Sequence, residues 1–165
     1  GVVDAVVDRA AAMSWVPVPL PRRVLVLDDD GIDGRGRILR EVGEGAGARV
    51  DVLDLARGDR LPEDARAVGP LTVVVLASVR AAKPGAGLSP AGRRAVEALI
   101  AGAGLPGAVS PSFVCCGARG IPGGVHLPGS GPALERALAA RLFAPAGGES
   151  PGPDSPGRGA APPHA

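Results

Sequence analysis

The chain has 165 residues, 45% hydrophobic and 21% charged, proportions close to those of folded globular proteins and a length that suits one domain with a buried core. Its 18 basic and 17 acidic residues leave a formal charge of +1, and the signs are interspersed without a basic block, so neither nucleic acid nor an anionic membrane is an expected partner. Two Phe, one Trp and no Tyr offer little surface for stacking bases or sugars, two adjacent Cys make no disulfide framework, and no apolar run approaches the ~20 residues that span a bilayer.

The opening stretch places Val2, Val3, Val6, Val7, Ala10 and Met13 at spacings of three and four, which predicts an amphipathic lead-in helix. Pro17, Pro19 and Pro21 follow in alternation and predict an extended connection, so residues 1–21 are a lead-in to a domain spanning 22–143. The chain starts at Gly1 without Met and without a basic, apolar leader, the pattern of a piece of a longer or processed product.

Val24-Leu25-Val26-Leu27, bounded by Arg22-Arg23 and Asp28-Asp29-Asp30-Gly31, is a short unalternating apolar run of the kind that forms a parallel strand covered on both faces. Ile38, Leu39 and Val42 then recur at helical spacing over about Gly36 to Gly45, and Arg49 to Leu55 alternates as a second strand, which completes a strand, helix, strand unit. A short helix is expected near Glu63 to Val68. Leu71 to Ala77 repeats the buried-strand pattern, and the connection lengths favour right-handed crossovers and a mostly parallel sheet. Ser89 as N-cap and Pro90 in the first turn open a helix whose apolar face is Ala95, Val96, Leu99 and Ile100.

Ala108-Val109 and Phe113-Val114-Cys115-Cys116, interrupted by Pro111, are candidates for one further strand before a turn-rich stretch from Gly117 to Pro132. A last helix runs from about Pro132 to Phe143. Residues 144–165 are Gly/Pro-rich and lack large apolar side chains, the composition of a disordered tail. The expected architecture is a three-layer α/β sandwich, flavodoxin-like, with a mostly parallel sheet.

Asp28-Asp29-Asp30 is the most conspicuous polar feature, because ligands of open α/β sheets bind at the carboxyl ends of strands. A response-regulator receiver would need an acceptor Asp after the third strand, where Leu76-Ala77-Ser78 stands. An EF-hand calcium loop fits Asp29, Asp33 and Gly34 but meets Gly31 at a ligand position and Arg40 where the bidentate Glu belongs. These acidic residues are therefore read as a solvated strand-to-helix loop that caps the following helix. Gly31-Ile32-Asp33-Gly34-Arg35-Gly36 matches neither a dinucleotide fingerprint nor a Walker loop.

Cys115-Cys116 is read as a pair of small buried hydrophobes, since adjacent cysteines poorly share a tetrahedral metal. His126 sits in a turn-rich loop, His164 in the tail, and no Gly-x-Ser-x-Gly elbow is present. Ser78-Val79-Arg80 is a candidate ligand-facing loop. No catalytic, cofactor-binding or metal-binding residue is assigned, and no cofactor is expected.

The order of these segments resembles the carboxyl-terminal α/β sandwich domain of family 3 glycoside hydrolases, of β-N-acetylhexosaminidase or β-glucosidase type. The resemblance runs from about Val2 to Phe143. It rests on the lead-in helix and proline connection, Arg23 to Leu27, Val50 to Leu55, Val73 to Arg80, Gly87-Leu88-Ser89-Pro90 opening Ala91 to Ile100, and the closing Ala133 to Phe143. Cys116-Gly117-Ala118-Arg119-Gly120 stands where the family usually has a Phe-Gly-Asn-Pro-Tyr-like segment. The resemblance implies a retaining glycosidase whose nucleophilic Asp lies in an amino-terminal (β/α)8 barrel, with this domain as the barrel's partner and the carbohydrate substrate at their interface. By itself such a domain is expected to hydrolyse nothing. Retaining chemistry needs two carboxyl groups about 5 to 5.5 Å apart, and none of Glu63, Glu97 or Glu135 aligns with the family's acid/base position. Glu97 and Glu135 are expected to be exposed on their helices. The competing expectation is a stand-alone flavodoxin-like or receiver-like module with a small ligand at the Asp28 to Asp33 loop.

Overall fold

The computed structural model describes residues 23–66, 71–78, 87–102, 111–118, 121 and 124–143. The expected lead-in helix, proline connection, Ala108-Val109 segment and tail lie outside them. Five strands, β1 (Arg23–Asp28), β2 (Arg49–Asp54), β3 (Leu71–Leu76), β4 (Ser112–Cys116) and β5 (Val125–Leu127), form one sheet in the order β2-β1-β3-β4-β5. Every pairing is parallel. The helices are α1 (Arg37–Gly45), α2 (Pro90–Gly102) and α3 (Pro132–Leu142), with a 3-10 turn at Glu63–Arg66. The architecture is the α/β sandwich expected from the sequence, in the flavodoxin-like strand order.

A central parallel strand must be apolar on both sides, and β1 and β3 meet that condition: Val24 to Leu27 and Val73 to Leu76 are all buried. The period of two divides them between two cores. Val24, Val26, Val74, Leu76, Val114 and Cys116 face the layer of α1 and α3, packed against Leu39, Leu138 and Leu142. Leu25, Leu27, Val73, Val75, Phe113 and Cys115 face the layer of α2 and the 3-10 turn, packed against Ala65, Val96 and Leu99. Each buried Leu or Val side chain stabilises the fold by about 1.5–3 kcal/mol, so both layers are fastened by apolar contact.

Chain direction explains the two layers. From β1 to β2 the chain moves toward one edge, and from β3 to β4 toward the other, so crossovers of one hand put α1 and α2 on opposite faces. The order reverses at β1, and the carboxyl ends of β1 and β3 therefore flank the switch point where this class of sheet binds ligands.

Three details differ from the sequence reading. The expected turn-rich stretch contains β5, whose three residues are too few to show a periodicity. Val42 and Ile100, expected on apolar helix faces, are exposed on α1 and α2. α1 begins at Arg37, one residue after the expected start.

Candidate functional site

The polar residues at the switch point are held by one another. β1 ends on Asp28, whose Oδ1 accepts the backbone N–H groups of Asp30 and Gly31, each at 3.2 Å. This short-range turn directs the chain out of the sheet. Asp30 Oδ2 accepts the N–H of Ser78, just beyond β3. Gly31, Gly34 and Gly36, all at positive φ, then carry the loop to α1, and Arg35 within it folds back over the strand ends.

Arg35 closes the crevice. One terminal nitrogen lies 3.0 Å from Asp30 Oδ2 and 3.4 Å from Asp28 Oδ1. The other donates to Ser130 Oγ at 2.9 Å and Ser78 Oγ at 3.3 Å. Ser130, in the turn after β5, passes the connection on by donating to the Ala77 carbonyl. The Arg35, Asp28 and Asp30 side chains are 8%, 5% and 6% exposed, so the triad is a nearly dry ion-pair cluster, costly to form and costlier to break on one side only. Burial is the largest influence on Asp28 and raises its pKa; the donors at Asp30, Arg35 and Gly31 partly offset it.

The expectation that the three Asp residues are solvated and cap the following helix is corrected by this geometry. Asp28 and Asp29 are buried. Asp29 serves α2 instead: its Oδ2 accepts the N–H of Ser89 at 2.8 Å and its Oδ1 the hydroxyl of Ser89 at 2.6 Å. Ser89 Oγ in turn accepts the Gly92 N–H at 3.0 Å, the N-cap geometry expected from Ser89-Pro90. At the start of α1, Gly36 is left-handed and has no capping side chain. The cap arrives from α3, where Glu135 Oε1 accepts the Gly36 N–H at 3.0 Å.

Glu135 was expected to be exposed and is 4% exposed; Glu97 is exposed as expected. Burial raises the Glu135 pKa above the ordinary Glu value, against the opposing pull of the backbone donors and Arg35. Ser78, a candidate ligand-facing residue, is turned inward by its bonds to Asp30 and Arg35, and Val79-Arg80 lie outside the described residues. Cys115 and Cys116 are buried on opposite faces of β4, and burial pushes each thiol up to about 12. The strand register sets Cys115 beside His126, but His126 is exposed on β5 and a thiol held neutral is no nucleophile. His164 lies outside the described residues.

Among the described residues, no group of three or more His, Cys, Asp or Glu is placed to hold a metal ion, and no helix is long and apolar enough to cross a membrane. The sequence reading gave Arg35 and Ser130 no role at this site, and it placed Glu135 on an exposed helix face. Glu135 did leave a signal, because it lies three and seven residues before Leu138 and Leu142 on the apolar stripe of α3. Compared with protein-family models, with curated proteins and with solved structures, the chain has no match.

Proposed function

We propose that this chain is a non-catalytic α/β sandwich domain of a family 3 glycoside hydrolase, of β-N-acetylhexosaminidase or β-glucosidase type. It packs against a (β/α)8 barrel that holds the nucleophile and borders the carbohydrate substrate at the domain interface. The order of segments from Arg23 to Phe143 supports this reading. The single observation that carries the non-catalytic part is the filling of the switch-point crevice by Arg35 and its partners. A carboxylate that acts on a glycosidic bond must meet the substrate at a defined spacing from a second one. Asp28, Asp29, Asp30 and Glu135 are instead engaged with Arg35, with the Ser78 and Ser89 backbones and with the start of α1.

The test is to precipitate the native protein with an antibody raised against this chain and to assay the precipitate and the isolated chain on aryl β-glucosides and aryl N-acetyl-β-glucosaminides. The expected result is hydrolysis by a precipitate that contains a barrel of about 200 to 400 residues, and none by the isolated chain. Hydrolysis by the chain alone overturns the non-catalytic assignment. A precipitate without glycosidase activity overturns the family assignment.

The strand order favours a second reading, a stand-alone flavodoxin-like ligand-binding module. Magnesium, calcium, FMN and nucleotides titrated against the melting temperature separate the two. A ligand at a hundred times its Kd stabilises the native state by about 2.7 kcal/mol, whereas the filled crevice predicts no shift.

A further inference from the structure

The chain contains two Asp-Gly pairs, Asp30-Gly31 and Asp33-Gly34, and no Asn. Asp-Gly is the dipeptide most prone to close a five-membered succinimide, because a residue without Cβ lets its backbone nitrogen approach the carboxyl carbon of the residue before it. The two pairs share one loop and stand in opposite conditions. At the first, Asp30 Oδ2 lies 3.0 Å from a terminal nitrogen of Arg35 and accepts the Ser78 N–H, in a side chain 6% exposed. The Gly31 N–H donates to Asp28 Oδ1 at 3.2 Å, and a methyl group added at Gly31 would lie 2.8 Å from Ala56 Cβ. Carboxylate and nitrogen are thus both engaged, and packing opposes rotation between them. At the second pair, Asp33 and Gly34 are exposed. Among the described residues, neither the Asp33 carboxylate nor the Gly34 N–H has a hydrogen-bond partner. A methyl group at Gly34, where φ is 78°, would meet nothing within 4 Å. One main-chain bond, from the Arg35 N–H to the Ile32 carbonyl at 3.1 Å, spans this pair.

We propose that Asp33 is a site of spontaneous isomerisation in the folded protein, giving an isoaspartyl residue that accepts a methyl group from a protein-isoaspartate carboxyl methyltransferase, while the Arg35 cluster protects Asp30. The Gly34 nitrogen attacks Cγ of the Asp33 carboxylic acid: an N–Cγ bond forms, a Cγ–O bond breaks, and the hydroxyl leaves with the amide proton as water. Water then adds to the ring at the Asp33 main-chain carbonyl and breaks its bond to nitrogen. The peptide link now runs through Cγ, the former main-chain carbonyl is a free carboxylate, and the composition is unchanged. Addition of water at Cγ instead returns Asp. The methyltransferase moves a methyl group from the sulfonium of S-adenosylmethionine to an oxygen of the new carboxylate, and S-adenosylhomocysteine leaves.

The test is to age the full chain in neutral buffer, folded and in guanidinium chloride, with two readouts. One is methyl transfer from labelled S-adenosylmethionine by the purified methyltransferase. The other is electron-transfer fragmentation of the tryptic peptide Val24 to Arg35, which tells Asp from isoaspartate at each position. In the folded chain isoaspartate is expected at position 33, with conversion at Asp30 at least about tenfold slower because it requires local opening. In denaturant the two rates should become comparable. Asp33→Glu would have to close a six-membered ring, so the folded variant should lose most of its methyl acceptance. Conversion of Asp30 as fast as Asp33 in the folded chain, or no conversion of Asp33 there, overturns the proposal, as does undiminished methylation of Asp33→Glu. The fragmentation readout needs no variant and decides the matter even if Asp33→Glu does not fold.

Discussion

A methyl group added at Gly92 would collide with the Asp29 carboxylate, the group that anchors Ser89 at the start of α2. Ala is the better helix former by about 1 kcal/mol, so propensity alone makes Gly92→Ala stabilising. The collision decides otherwise: Asp29 must withdraw from Ser89, and overpacking of this kind costs about 1–3 kcal/mol, with the weakened cap adding about 1 kcal/mol. Urea unfolding should show Gly92→Ala less stable by about 1–3 kcal/mol. Combined with Asp29→Ala the losses should fall short of additive, since both changes break one contact. The cysteines make a second residue-scale case. With thiols pushed up to about 12 by burial, neither should react with iodoacetamide at mildly alkaline pH in the native protein, and both should react once urea has unfolded it. Labelling of Cys115 or Cys116 in the folded state would show that β4 opens. Ser89 and Pro90 were legible as a helix start because cap chemistry is local. Asp29 was not, because its partner lies 60 residues along the chain.

Among the elements, legibility follows the number of residues that repeat a pattern. β1 and β3 present long buried runs, and their ends agree with the sequence reading within a residue or two. β5 offers only Val125-His126-Leu127 and depends on its neighbour β4 for definition. α1 is only nine residues, too short to be stable on its own, so it relies on Leu39, on Gly43 lying close to Val50 and Phe143, and on the cap from Glu135. Arg35 was hidden for a related reason. A lone Arg in a glycine-rich loop carries no spacing to read, yet it joins the ends of β1 and β3 to the turn after β5. Arg35→Leu should remove about 3–5 kcal/mol of stability, because Asp28 and Asp30 would stay buried and lose the Arg35 guanidinium. Adding Asp30→Asn should restore part of that loss, since the Asn carbonyl can still accept the Ser78 N–H. An Arg35→Leu protein as stable as wild type, or a double variant that recovers nothing, would mean that the ion-pair cluster does not hold these strand ends together.

Across the whole molecule, the same buried carboxylates set how stability varies with acidity. Asp28 and Glu135 both have raised pKa values, with burial the leading cause. Between the ordinary carboxylate values, about 3.9 to 4.3, and these raised ones, the native state binds more protons than the unfolded chain. In that window stability rises as pH falls. Asp64 acts in the opposite sense, because its hydrogen bond to Arg23 holds its pKa below the ordinary value. Its contribution is complete above the ordinary Asp pKa and is lost as pH falls through the lowered one. The urea midpoint should therefore climb as pH drops through the raised values toward the ordinary carboxylate range, and fall in stronger acid. Glu135→Gln should flatten the climb by removing one of its two sources, while the Asp28 share persists. A midpoint that declines steadily from neutrality would mean that Asp28 and Glu135 are hydrated in solution. The crevice beside them would then be open to water, and the filled switch point, on which the non-catalytic reading of this domain rests, would lose its physical basis.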